Sequence, residues 1–276
     1  MRRLIVILMV VVLGGCATQQ SESDLRLYVM DCGNLRFTNV STFGLTNEET
    51  DVREMFVPCY LIDHPDGQLF WDAGLDPATA GQGEIEPQPG LTMWYERSVL
   101  DQLSEIGFPP EEIELIALSH MHFDHAGAAN YFPVSRLLIQ KPEYEAAFNN
   151  AEDYPVFTYE SYSELADNPK TILEGDYDVF GDGRVVIVSA PGHTPGHQVL
   201  FLDLAETGPI VLSGDLYHFR FNRLHQRTPV FNTDAAQTVE SMNKVEAFLK
   251  ARNATLWIEH DKALADTLNK SPSYYR

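Results

Sequence analysis

The chain reads as one α/β domain behind a short leader, and three observations predict this. Short apolar strands bounded by Gly, Pro and Asp clusters alternate with stretches of helical periodicity. At 276 residues, with 44% hydrophobic and 21% charged residues, the chain can bury a large core. Histidines and aspartates stand at or just beyond the ends of four apolar strands, where a sheet gathers polar groups at one rim while its body stays packed.

The first residues are expected to lie outside that domain. Met1-Arg2-Arg3 is a basic start, Leu4 to Leu13 an unbroken apolar run, and Gly14-Gly15-Cys16 a small-residue junction, the pattern of a secretory signal. The apolar run is about half the roughly 20 residues a spanning helix needs. Leu13-Gly14-Gly15-Cys16 resembles the lipobox of bacterial lipoproteins. That resemblance implies removal of residues 1–15, a lipidated Cys16 as the membrane attachment, and a place in the cell envelope. Ala17 after the cysteine favours the periplasmic side of the outer membrane. Cleavage as an ordinary signal is the alternative. Residues 16–24 form a polar tether and the folded domain spans 25–276.

From there the elements follow in order. Leu25 to Met30, Phe56 to Ile62 and Gln68 to Trp71 are strands, the last two joined by the turn chemistry of His64-Pro65-Asp66-Gly67. Ala73 to Tyr95, rich in Gly and Pro, reads as a long irregular loop. Ser98 to Ile106 has helical periodicity and stops at Gly107 and Pro109-Pro110; Ile113 to Leu118 is a nearly continuous apolar strand. Then come the strand Arg136 to Gln140, the helix Pro142 to Phe148 and a polar aromatic stretch to Pro169. Gly181-Asp182-Gly183 opens the strand Val185 to Ser189, followed by the strands Gln198 to Asp203 and Pro209 to Leu212. Thr233 caps the longest amphipathic helix, which runs to about Arg252 with Val239, Met242, Val245, Phe248 and Leu249 on one stripe. Thr255 to Ile258 is the last strand.

Charge excludes one class of partner. Nineteen Lys and Arg against 40 Asp and Glu give a formal net charge of −21, and loss of the leader would remove Arg2 and Arg3 as well. Nucleic acid, bound through Lys and Arg at phosphates, does not fit such a surface; a neutral or cationic small molecule does. Cys32 and Cys59 lack metal-site spacing. Both a disulfide and a pair of buried thiols are compatible with them.

The chemistry is concentrated in His120-Met121-His122-Phe123-Asp124-His125, at the exit of the strand ending at Leu118. In an extended segment alternate side chains point the same way, so His120 and His122 can converge on one ion. A turn at Asp124 re-aims Asp124 and His125 toward a neighbouring position. Imidazole and carboxylate without thiolate suit zinc, and leave Mn, Fe or Co open. Of the other histidines, His64 and His225 read as solvated and His197 as structural; for His218 a site role and a structural role stand about level.

These residues form the H-x-H-x-D-H motif of the metallo-β-lactamase superfamily, which the chain resembles over residues 25–265. Cys59 to Ile62, Phe70 to Gly74, Pro191 to His197, Ser213-Gly214-Asp215 and Glu259-His260-Asp261 match that family's further elements in order. The resemblance implies an αββα four-layer sandwich. It also implies two zinc ions per chain: His120, His122 and His193 on the first, Asp124, His125 and His260 on the second, and Asp215 bridging. Ions so held bring the pKa of a bound water from 15.7 to about 7, which makes hydroxide available for attack on a carbonyl or phosphoryl centre. No G-x-S-x-G element competes as a source of nucleophile.

Within that superfamily the chain is most similar to the N-acyl-homoserine lactone lactonases, through Ser119 to Gly127, Lys141 to Ala147, Glu174 to Tyr177 and Gly192 to Gln198. Those quorum-quenching enzymes open a lactone ring. They carry a tyrosine three residues after the bridging aspartate, where this chain has His218, with Tyr217 one position earlier. Asp124, Tyr217 and His218 are therefore the candidates to act on substrate. Met93-Trp94-Tyr95, Phe219 and Phe221 are candidates to line an acyl groove. Two other readings compete: an ester, thioester or phosphotriester hydrolase (the Gly-Asp-x-x-His arrangement resembles methyl-parathion-hydrolase-like members), and a non-catalytic metal-binding lipoprotein. If Cys16 carries the anchor, Cys16→Ser will move the protein from the membrane to the soluble fraction on fractionation of expressing cells; unchanged attachment removes the lipobox from the account.

Overall fold

The computed structural model describes residues 25–276, so the leader, the lipobox and the tether lie outside the described residues. Strands β1 (Arg26–Phe37), β2 (Glu54–His64), β3 (Gly67–Trp71), β4 (Ile85–Gln88) and β5 (Leu91–Trp94) come first, followed by helix α1 (Val99–Glu105). The middle holds β6 (Leu115–Ala117), α2 (Phe123–Ala126), β7 (Arg136–Gln140), α3 (Lys141–Tyr144), β8 (Lys170–Leu173), β9 (Tyr177–Asp178), β10 (Val185–Ser189), β11 (Gln198–Leu204) and β12 (Gly208–Leu212). Helices α4 (Arg220–His225) and α5 (Ala235–Arg252), strand β13 (Thr255–Trp257), helix α6 (Lys262–Ala265) and strand β14 (Tyr274–Tyr275) complete the chain.

Two mixed sheets result. One runs β4-β5-β1-β2-β3-β6-β7-β8 with β14 also on β1; the other runs β13-β12-β11-β10-β9. Both faces of β2 are covered, which is why it reads as a continuous apolar run rather than an alternating one. Phe56, Tyr60 and Ile62 point between the sheets, where they meet Val185, Ile187, Leu200 and Leu212. Val57, Cys59 and Leu61 point the other way, into a core shared with Val99 and Leu103 of α1. On the far side of the second sheet, Val199, Phe201 and Val211 pack against Met242, Val245 and Leu249 of α5. Helix, sheet, sheet, helix is the αββα sandwich expected.

Several local expectations change. Ala73 to Tyr95 is not an irregular loop: β4 and β5 form a hairpin that pairs with the second half of β1, Asn34 opposite Trp94 through Phe37 opposite Leu91. Its outer strand is largely exposed and carries Pro87, so it lacks the apolar alternation that marks a strand in sequence. Asp234 rather than Thr233 caps α5, its side chain accepting the Gln237 amide. The helix expected at 142–148 is one turn of α-helix continued by a wider π turn over Glu145–Asn149. His64 is buried, not solvated: its ring stacks on Phe180 at 4.0 Å, with Nε2 3.1 Å from Asp182 Oδ2.

Cys32 and Cys59 form a disulfide between β1 and β2, with Cα atoms 5.7 Å apart. It lies beneath the turn after β3. Gly74 passes so close, at φ +61°, that a Cβ there would lie 2.3 Å from Cys32 Cβ. The disulfide therefore supports the turn that carries Asp72. Crosslinking residues 27 apart is worth about 3.5 kcal/mol on the chain-entropy account. A Cys32→Ala/Cys59→Ala double variant should lose stability of that order in urea unfolding; an unchanged midpoint would show that the crosslink contributes nothing.

Candidate metal centre

Each expected ligand follows the end of a strand of the two sheets. β6 delivers His120 and His122 on extended backbone, with Met121 between them turned into the core. His122 opens α2, whose single turn brings Asp124 and His125 round to a second position. β10 leads to His193, β12 to Asp215 and β13 to His260. All seven side chains are buried.

The donor atoms fall into two groups, His120, His122, His193 and Asp215 in one and Asp124, His125 and His260 in the other. Asp215 divides its carboxylate between them. Its Oδ2 lies 3.3 Å from His193 Nε2 and 3.6 Å from His120 Nε2; its Oδ1 lies 2.8 Å from His260 Nε2 and 3.1 Å from His125 Nε2. Asp124 Oδ2 approaches His260 Nε2 at 3.7 Å.

The surroundings fix which nitrogens face inward. His125 Nδ1 lies 3.0 Å from Asp72 Oδ2, His193 Nδ1 2.8 Å from Asn232 Oδ1, and His260 Nδ1 2.8 Å from the Phe56 carbonyl. These acceptors hold the proton on Nδ1 and leave the Nε2 lone pair aimed at the centre. His120 Nδ1 contacts Ser119 Oγ at 3.0 Å. Burial first, then neighbouring imidazoles, hold His120 and His122 well below the ordinary histidine value, so both are neutral ligands at pH 7. Burial opposes charge on Asp215 too, but His218, His260 and His125 outweigh it and keep the carboxyl well below its usual range.

This arrangement fits metal ions and little else. His125 Nε2 faces His260 Nε2 at 3.2 Å, and His122 Nδ1 faces His193 Nε2 at 3.2 Å. With the outer nitrogens of His125 and His260 protonated, lone pairs meet across the first of those gaps. His120 Nε2 and Asp215 Oδ1 are buried without a hydrogen-bond partner. Nitrogen and oxygen donors converging with no thiolate among them are the chemistry of a site for zinc or a similar divalent ion.

His197, expected to be structural, accepts the Asp215 amide at Nε2 (3.0 Å) and sets Nδ1 3.1 Å from the Ala190 carbonyl. Burial pushes its pKa down to about 3, so it serves as a neutral strut under Asp215. Tyr217 does not join the site. The backbone is extended there, so successive side chains point in opposite directions. Tyr217 turns to α5 and donates to Glu246 at 3.1 Å, while His218 turns inward, its Nε2 2.9 Å from Asp215 Oδ2. His225 is exposed.

Residue-type reasoning missed the outer ring. Asp72 accepts the Ser119 amide at 2.6 Å besides holding His125. Glu259 accepts from Trp71 Nε1 and the Gly214 amide. Both stand beside strand ends in segments already matched to the family, which is the signal that points to them. Asn232 has no such signal.

A cleft of about 400 Å³ opens onto the donors, lined at its floor by His122, Asp124, Asp215, His218 and His260. Leu35, Phe37, Phe43, Met55, Leu91, Phe123, Val156 and Phe231 make its walls, with Gln88 to Gly90 of the β4–β5 turn at one side. Met93, Trp94, Tyr95, Phe219 and Phe221, the aromatic candidates for the groove, do not line it.

An αββα sandwich with two buried His/Asp donor groups sharing one carboxylate, open to a cleft, is the framework of a binuclear metallohydrolase. The chain belongs to the metallo-beta-lactamase superfamily, whose family model matches residues 52–255. It is 29% identical over 272 residues to the N-acyl homoserine lactonase AttM of Rhizobium johnstonii, covering 92% of this chain and 99% of that one. It is 28% identical over 223 residues to the N-acyl homoserine lactonase AiiA of Bacillus thuringiensis subsp. kurstaki, covering 78% and 85%. A solved N-acyl homoserine lactone hydrolase, with the product N-hexanoyl-L-homoserine at its catalytic metal centre, superposes with a TM-score of 0.77 at 24% identity. That match covers 91% of this chain and 99% of the other.

If the two donor groups each hold an ion, elemental analysis of protein purified without chelator will give about two divalent metals per chain, and Asp215→Ala will lose both. Asp72→Asn, which removes one anionic acceptor from His125, should weaken metal binding by roughly 10–100-fold in chelator competition. Wild-type affinity in that variant would remove Asp72 from the support of the site.

Proposed function

We propose that the chain is a di-zinc lactonase that opens the ring of N-acyl-homoserine lactones. The observation that carries this reading is the cleft itself. A compact electrophilic head can reach the metal donors while an apolar tail lies along Leu35, Phe37, Phe43, Met55, Leu91, Phe123 and Phe231. The relatives named as N-acyl homoserine lactonases support the same substrate class, and a dizinc quorum-quenching lactonase among the structural neighbours supports two metals and their fold.

His120, His122 and His193 would hold one zinc, Asp124, His125 and His260 the other, with Asp215 between them. Zinc so bound supplies a Lewis acid for the carbonyl and a water acidic enough to act as nucleophile at neutral pH. The protein positions and protects. Asp215, kept ionised by its neighbours, holds the two ligand groups in register. His218 faces the reacting end where the lactonases carry a tyrosine; its ring packs 4.9 Å from that of Phe43 and its Nδ1 has no partner. In this reading His218 would hydrogen-bond the ring oxygen or carbonyl, a role for which Tyr217 is turned the wrong way. The apolar walls exclude water from the bond that breaks and take up the acyl chain.

Export as a Cys16-anchored lipoprotein remains part of the proposal. The Cys32–Cys59 disulfide, of the kind found in oxidising compartments, supports it. Among the described residues no helix is long and apolar enough to cross a membrane. The same metal chemistry could cleave other esters or phosphotriesters, and His218 in place of tyrosine is the observation that favours that second reading.

A substrate panel separates them: acyl-homoserine lactones of several chain lengths, an aryl ester, a phosphotriester and a β-lactam, followed by acid release. Lactones should be the fastest class and His120→Ala should lose turnover. A phosphotriester cleaved quickly beside inert lactones would overturn the lactone assignment while leaving the metal centre intact.

A further inference from the structure

One buried acid belongs to neither donor group nor to the ring of acceptors behind the histidines. Glu143 sits in α3, the turn of helix that follows β7, and is 2% exposed. Among the described residues no Lys or Arg forms an ion pair with it. Its two oxygens are occupied by backbone amides from two different places. Oε1 accepts Met121 N at 3.1 Å, and Oε2 accepts Gly196 N at 2.8 Å.

Those two amides lie in the two segments that carry the first donor group. Met121 stands between His120 and His122. Gly196 comes three residues after His193 and one before His197, the strut under Asp215. One carboxylate thus ties together every imidazole of the first group. The approach is close enough to dictate sequence: a Cβ on residue 196 would lie 2.5 Å from Glu143 N and 2.6 Å from Glu143 Cβ, so the position admits only glycine without displacement. Gln140, at the end of β7, adds a parallel link. Its Nε2 donates to Gln198 Oε1 at 3.2 Å, and Gln198 Nε2 donates to the Leu118 carbonyl at 2.9 Å.

A carboxylate is a costly group to bury without a cation, and an apolar side chain of similar size would fill the same gap more favourably. Burial pushes the Glu143 carboxyl up to about 6, the Thr194 hydroxyl, the two amide bonds and the nearby His193 drawing it back. What only an ionised carboxylate offers here is acceptance of two N–H groups arriving from opposite sides, one on each oxygen. An amide could accept one and would set its own N–H₂ against the other.

We propose that Glu143 is a positioning residue for the first metal ion: it fixes the spacing between the His120–His122 segment and the His193 segment. This rests on the two-ion reading of the centre and is independent of which substrate is cleaved.

Glu143→Gln tests it at nearly constant volume. The metal-free variant should fold, with wild-type circular dichroism. Hydrogen exchange should quicken at the amide of Met121 or Gly196. Zinc affinity at one of the two sites should fall by roughly 10–100-fold in chelator competition, the size expected when support behind a ligand is lost. At limiting zinc the stoichiometry will drop toward one per chain. Gly196→Ala approaches the same contact from the other loop while keeping the carboxylate, and should weaken the same site; it takes over the test if Glu143→Gln does not fold. Full zinc affinity at both sites with unchanged exchange at both amides, in whichever variant folds, overturns the proposal. Wild-type protein that binds no zinc would instead overturn the two-ion reading beneath it.

Discussion

Five imidazoles and two carboxylates converge in the interior of this protein, and the lone pairs they aim at one another must be met by positive charge. Asp215 is the hinge of that constraint. Its two oxygens face different histidine groups at 2.8–3.6 Å, so a single carboxylate sets the relation between the groups. Everything nearby serves to keep it there: His197 beneath its amide, the short β12 strand behind it, and the outer acceptors that turn each histidine to present the correct nitrogen.

The sandwich makes that concentration affordable. Strands with both faces covered give two apolar layers and a third between them, and the ligands are confined to residues just past strand ends, where the backbone leaves the sheet. The disulfide under Gly74 and the parallel pairing of β3 with β6 (Trp71 opposite Ala117) carry Asp72 to His125. The outer ring of acceptors is thus built from the sheet itself, which is the stiff way to hold a histidine.

Much of this was legible because the site is local in sequence. His120 to His125 sits in one extended segment and one helical turn, so alternation in the segment and the turn after it divide it into two ligand pairs, and His193, Asp215 and His260 follow strands with strong apolar runs. What was not legible depended on pairing between distant segments. The β4–β5 hairpin is strand only because the second half of β1 offers it an open edge; its own residues, with Pro87 and Gly90, describe a loop. His64 looks like a turn residue until the Asp178–Arg184 turn closes over it. Asn232 and Glu143 have no spacing relation to the residues they support, since their roles are fixed by approach in space.

The placement of Tyr217 and His218 shows where chemical type and geometry part company. By type, tyrosine is the better match to the lactonases, and one residue separates it from their position. The backbone between Tyr217 and His218 is extended, and in extended chain one residue is a reversal of direction. Tyr217 is therefore committed to Glu246, which also receives two bonds from Arg223 of α4. That anchor fixes the segment following Asp215, and with it the ring of His218, against the cleft. Tyr217, a candidate to act on substrate by residue type, instead holds the frame, and His218 is the side chain left on the floor of the cleft. On the floor of the cleft, whose other residues are the expected metal ligands, His218 is the side chain that departs from the tyrosine of the lactonase pattern.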